Sequence, residues 1–209
     1  LYKIDYLVYN NHIPVAQQLW KDFPERIETW ASKSNRTGSQ LMEEINYLNK
    51  SMYLSKKKLL TFSSQLSKFD IVTGSHDDST QAERSYYNSL GATICEFPTS
   101  IATAEYAKSI GNTIVMGAPN IVRGGSQSGS IAAVDLVKGG LCDVLVSDYY
   151  YPAMLGSIWS LHDNKIMEFA KAWGLISSGP ANAMNLRTKG KLELGYSADF
   201  IILDPVRRS

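Results

Sequence analysis

Short, nearly continuous apolar runs alternate with longer stretches in which apolar and polar positions recur at helical spacing. The runs are "DYLVYNN" (Asp5 to Asn11), "FDIVTGS", "TICEF", "TIVMGAP" and "CDVLVSD", and "DFIILD" comes near the end of the chain. Runs of this length, bounded by Gly, Pro, Asn or Ser, predict strands buried on both faces. "STQAERSYYNSLGA", "SIATAEYAKSIGN" and "IAAVDLVKGG" predict helices, and two more helical stretches cover Met154 to Leu186. Thr80 and Glu83 have the spacing of a capping box, and glycines close the helices. The region Pro14 to Lys68, rich in Lys, Gln, Glu, Leu and Ser, predicts two or three helices around a loop at "SNRTGS". "NIVRGGSQSGS" reads as a loop.

Strands that alternate with helices predict an α/β fold with a parallel sheet covered by helices and right-handed crossovers. Two architectures satisfy the pattern. One is an open, doubly wound sheet, complete with five strands. The other is part of a TIM-like (β/α)8 barrel, with strands missing. Either places the working residues at the carboxyl ends of the strands.

Composition narrows the classes. The chain has 209 residues, 44% hydrophobic and 20% charged, with a net charge of +1. No basic stripe argues for nucleic acid, and no apolar stretch of ~18 residues argues for a membrane span. Lys56, Lys57 and Lys58 read as a solvated helix face. Cys95 and Cys142 stand singly in apolar runs, which predicts buried thiols in a reducing, cytoplasmic compartment. The sequence starts at Leu1 and moves quickly into a strand, so a larger protein is expected around it.

The residues just after each strand carry the chemistry. They include His12 in "NNHIP", His76-Asp77-Asp78, Glu96, the segment from Gly117 to Ser126, and Asp148. Imidazole and carboxylate converging on one rim of a sheet suit zinc, manganese, nickel or magnesium. Each residue also has an ordinary reading. A strand-end histidine can be a hydrogen-bonded loop residue, and Asp77 and Asp78 can complement a helix N-terminus. Asp148 can cap the helix that follows, and His162 reads as a surface residue. In "RGGSQSGS", Arg123 with Gly124, Gly125 and Ser126 offers a charged donor and a backbone able to turn N–H groups toward phosphate. Ser130 is the expected cap of the next helix.

Four segments, "GSHDDST", "EFPTS", "MGAPNIVRGGSQSG" and "SDYYYPAML", resemble in order and spacing the amidohydrolase-superfamily enzymes of phosphonate metabolism. "GKLELGYSADFIILD" is similar to the ending common across amidohydrolases. The resemblance runs from about His12 to Asp204. It implies residues 1–190 as barrel strands five to eight, and 191–209 as a return strand to a small β-sandwich. It implies His12 and His76 as metal ligands on the fifth and sixth strands. Asp148, on the eighth, would bind metal and move the proton. Asp77 and Asp78 would support His76 or bind a second ion. Arg123, Gly124, Gly125 and Ser126 would meet the phosphates.

The implied reaction is release of pyrophosphate from a ribose methylphosphonate 5-triphosphate, with a divalent metal activating water. The family's first-strand His-x-His and fourth-strand carboxylate or modified lysine have no counterpart here, and Gln127 stands where the family commonly has histidine. This piece alone is therefore expected to be a poor catalyst. Its open strand edges predict a homo-oligomer or association with a missing N-terminal half. Two other readings stand beside this one. One is a dihydroorotase-like hydrolase of cyclic amides. The other is a non-catalytic module that binds a phosphorylated ligand.

Overall fold

The computed structural model describes residues 4–51, 56–125 and 131–208. It divides into two compact units, Asn10–Leu66 and the combination of Leu1–Tyr9 with Ser67–Ser209.

Asn10–Leu66 is helical, with α1 (Ile13–Asp22), α2 (Pro24–Ser32), α3 (Gly38–Ser51) and α4 (Lys56–Leu66). These are the helical segments among the described residues. Pro24 lacks an N–H and cannot continue α1, but fits the first turn of α2. Ala16, Ile27 and Met42 form the buried centre of this unit, packed by Leu19, Trp20, Leu41 and Ile45. Lys57 and Lys58 are exposed.

The other unit is α/β. Its strands are β1 (Tyr6–Tyr9), β2 (Val72–His76), β3 (Ile94–Glu96), β4 (Thr113–Gly117) and β5 (Val144–Val146). Its helices are α5 (Gln81–Ser89), α6 (Ile101–Ser109), α7 (Ala118–Arg123), α8 (Ala133–Lys138), α9 (Ala153–Asp163), α10 (Phe169–Gly174) and α11 (Ser178–Ala183). All four pairings are parallel, and the strand order is β1-β2-β3-β4-β5. A doubly wound sheet reverses its order at a switch point. This sheet has no reversal, so the doubly wound expectation is corrected.

Side chains alternate across the sheet. One face presents Cys95, Ile114, Met116 and Leu145 to the helices, where Ala104, Leu136, Ile158 and Leu161 are fully buried. The other face carries Ile94, Val115 and Val144, with Tyr6, Val72 and Val146 packed against them. The two cysteines are free and buried.

Three further expectations change. "NIVR" is not loop but part of α7, which Pro119 starts and Gly124 ends at φ +76°. Met154 to Leu186 spans three helices rather than two. "DFIILD" forms no strand among the described residues, and Phe200, Ile201 and Ile202 are exposed. A strand needs a ladder partner, and here none pairs with it. No helix among the described residues is long and apolar enough to cross a membrane.

Candidate active site at the carboxyl ends of the strands

His76 is the last residue of β2, and its neighbour across the β2–β3 ladder is Glu96, the last residue of β3. The two therefore leave the sheet from the same face at the same level. Asp148 follows β5 by two residues. Its carboxylate reaches over β4, where Gly117 leaves room. A Cβ at Gly117 would lie 3.7 Å from Asp148 Oδ2 and 3.2 Å from the Phe97 ring. The Phe97 ring in turn packs against the His76 imidazole, with centroids 5.1 Å apart.

The backbone bends in the same way after three of these strands. Asp77 (φ +59°), Phe97 (φ +53°) and Asp148 (φ +50°) are all left-handed, and none is glycine. This conformation is unfavourable for residues with a Cβ, and such residues gather at functional sites. Here the bend turns the chain off the sheet so that side chains from β2, β3 and β5 face one another.

The electrostatics follow from that placement. Asp77 Oδ2 lies 3.1 Å from His76 Nδ1. The Asp77 carboxylate raises the imidazole pKa above its ordinary value; partial burial opposes this, and the charges of Glu96 and Asp148 reinforce it. Burial pushes the Glu96 carboxyl upward. The positive His76 counters that shift, and Asp77 and Asp148 add to it. Four titratable groups thus sense one another at one end of the sheet.

His76 and Asp77 belong to a group of ligand atoms close enough together to hold a cation. A carboxylate at Nδ1 favours the tautomer in which Nε2 is the ligating nitrogen, and the charges of Glu96 and Asp148 act on the same imidazole. Mixed nitrogen and oxygen ligands suit zinc, manganese or nickel.

The other predicted residues are distributed as follows. His12 belongs to the helical unit, where it is exposed and its carbonyl accepts the Ala16 N–H at 3.0 Å. It borders a cavity of about 660 Å³ lined by Trp30, Leu41 and Ile45. Asp78 bonds to Ser75 and Arg84. Its Oδ2 accepts from Ser75 Oγ at 2.6 Å and from Arg84 at 3.1 Å, and it is buried. Arg123 is exposed, with its guanidinium 5.6 Å from the ring centre of Tyr149, the residue after Asp148. The Gly124 and Gly125 N–H groups donate to Ile121 and Asn120 carbonyls at 3.2 and 3.1 Å. These bonds close α7. Ser126, Gln127 and Ser130 lie outside the described residues. At the start of α8 the Ala133 N–H donates to Asn120 Oδ1 at 2.9 Å. His162 is exposed, as expected, and meets the Phe169 ring edge-on.

Glu96 was picked out by its place at a strand end but given no role, and sequence reading missed Arg84 altogether. Arg84 lies in a polar helix and gives no sign of being buried.

No protein-family model matches the chain. The chain is 41% identical over 134 residues to the α-D-ribose 1-methylphosphonate 5-triphosphate diphosphatase of Escherichia coli strain K12. That match covers 63% of this chain and 35% of the curated protein, so the chain spans about a third of its relative's length. Two crystal structures share the fold at 14% identity, both of uncharacterized metal-dependent hydrolases. The one from Pyrococcus horikoshii OT3 has a TM-score of 0.54 over 72% of this chain and 37% of its own. The one from Pyrococcus furiosus has a TM-score of 0.52 over 69% and 36%.

Proposed function

We propose that this chain carries the carboxyl-end part of a metal-dependent hydrolase site that releases pyrophosphate from α-D-ribose 1-methylphosphonate 5-triphosphate. The observation that carries the reading is the convergence of His76, Asp77, Glu96 and Asp148 beyond the ends of consecutive parallel strands. The 41% identity to a diphosphatase of that substrate supports the choice of reaction.

In this reading the sheet is an arc of a (β/α)8 barrel, since consecutive order without a switch point is what an arc requires. With β5 as the eighth strand, counting back makes β2 the fifth, β3 the sixth and β1 the fourth. His76 then occupies the fifth-strand position, Glu96 ends the sixth, and His12 follows the fourth. The run 191–209, whose described residues are mostly exposed, is the segment that returns to a β-sandwich.

His76 and Asp148 would hold the cation, with Glu96 as a further donor. The cation, when bound, supplies Lewis acidity toward water and the phosphoryl oxygens. Asp148 takes the proton from the attacking water. Asp77 holds the His76 ring. Arg123, beside Tyr149, offsets charge on the phosphate chain, and most of what phosphoryl transfer asks of a protein is charge compensation and positioning. The partner is a small phosphorylated sugar, in the cytoplasm, and the chain works as an oligomer or with other protein segments that complete the ring.

The test is pyrophosphate release from the sugar triphosphate by the whole protein with Zn2+, Mn2+, Ni2+ or Mg2+. Release that chelation abolishes, and that Asp148→Asn lowers at least 100-fold, supports the reading. Hydrolysis of a cyclic amide, with the triphosphate untouched, would replace it.

A further inference from the structure

We infer that the buried Arg84–Asp78 pair is a positioning device for His76. It brackets the left-handed turn at Asp77, so that the Asp77 carboxylate stays on Nδ1. The inference rests on the reading of His76 as a metal ligand only for its consequence; the geometry stands by itself.

Arg84 lies on α5 and is fully buried. Its Nη1 donates to Ser75 Oγ at 2.6 Å, to Asp78 Oδ2 at 3.1 Å and to the Ile94 carbonyl at 3.2 Å. Its Nη2 donates to the Ala92 carbonyl at 2.6 Å. Ser75 Oγ also donates to Asp78 Oδ2 at 2.6 Å. One guanidinium therefore ties the residue before His76, the residue after Asp77, and the approach to β3.

Backbone bonds extend the bracket. The Asp77 N–H donates to the Glu96 carbonyl, and the Thr99 N–H to the Asp78 carbonyl, both at 3.0 Å. Ser75 and Asp78 are thus held on the helix side of the sheet while His76 leaves from the opposite face. Asp77 between them has no choice but the tight left-handed turn, which the surroundings must enforce.

Stability alone is a weak account of this pair. Well-packed apolar residues commonly replace a buried ion pair without loss. Among the described residues, Asp78 Oδ1 and Arg84 Nε have no hydrogen-bond partner. A device that fixes geometry tolerates such a cost, whereas one selected for stability alone does not.

The experiment reads the His76 tautomer by long-range nitrogen–proton NMR on the whole protein at pH 9, where imidazoles are neutral. His12→Gln and His162→Gln variants assign the signals. The native protein is expected to show His76 as the Nδ1–H tautomer. The paired Arg84→Met/Asp78→Asn variant is expected to shift it to mainly Nε2–H. A matched control removes the Lys108–Asp143 pair, 2.5 Å apart at the amino ends of the strands, with Lys108→Met/Asp143→Asn. The control should leave the tautomer as in the native protein. A folded paired variant that keeps Nδ1–H overturns the inference, as does a control that loses it. Should the paired variant not fold, Ser75→Ala removes one arm of the bracket. A mixed tautomer then supports the inference, and an unchanged one overturns it.

Zn2+ titration forms the second arm. Affinity should fall about tenfold in the paired variant and stay within about twofold in the control. A native protein that binds no Zn2+ but shows the tautomer shift would defeat the metal reading and leave the positioning role standing.

Discussion

His76 Nδ1 and Asp77 Oδ2 stand 3.1 Å apart across a turn in which Asp77 has φ +59°. Adjacent residues meet this way only because the backbone turns left-handed between the strand end and α5. The carboxylate that orients the imidazole is therefore supplied by the same turn that ends β2.

Asp77→Gly separates the turn from the carboxylate. Glycine adopts positive φ without strain, so the variant should fold as the native chain does. Without its carboxylate partner, metal affinity and pyrophosphate release should fall by roughly 10- to 100-fold. Calorimetric metal titration and a pyrophosphate assay measure the two effects.

Two glycines should respond in opposite ways. A Cβ at Gly117 would press on the Phe97 ring at 3.2 Å and approach the Asp148 carboxylate. Gly117→Ala is expected to lower kcat more than it lowers Tm, because the displaced groups are those of the site. A Cβ at Gly111 meets nothing within 4 Å, but the residue has φ +78°. Gly111→Ala should cost about 1 kcal/mol of stability and leave kcat unchanged.

Arg84→Met alone leaves the Asp78 carboxylate buried without its counter-charge. The expected loss is about 3–5 kcal/mol, and Asp78→Asn added to it should restore part of that loss. Urea unfolding of both variants tests the pair. Equal losses in the single and double variants would remove the ion pair as their cause.

The start of α5 tests local structure. Thr80 Oγ1 accepts the Glu83 N–H at 3.1 Å, and the Glu83 side chain returns to the Thr80 N–H. Thr80→Ala should cost about 1 kcal/mol in chemical denaturation.

Burial pushes both thiols up to about 12 from an ordinary 9. In the native state they should resist iodoacetamide at pH 8.5 and react only after unfolding. The unfolded chain releases these protons first, so the thiols' contribution is intact below pH 9. It declines as pH rises from 9 toward 12. Urea midpoints measured at pH 8 and pH 10.5 should fall in that direction in the native protein. The fall should be smaller in Cys95→Ala/Cys142→Ala.

How much of this was legible in advance varies by residue. The apolar runs around Val72, Ile94, Thr113 and Val144 marked their strands, because a strand buried on both faces must be apolar on both. The Thr80–Glu83 spacing marked a helix start, since both bonds of a capping box lie within one turn. "DFIILD" misled because apolar content allows a strand but cannot supply its partner. "NIVR" misled because the glycines after it were read as loop, while they end a helix that Pro119 begins.

Local chemistry in the chain was sufficient for most strand and helix segments, the cap of α5 and the buried thiols. These depend on short-range periodicity and on residue type. Consecutive strand order, the pairing of Glu96 beside His76, the buried partnership of Asp78 with Arg84, and the engagement of the Gly124 and Gly125 N–H groups came from folding in three dimensions. Each depends on which distant segment supplies a neighbour, and a parallel sheet brings together residues whose separation along the chain carries no record of that contact.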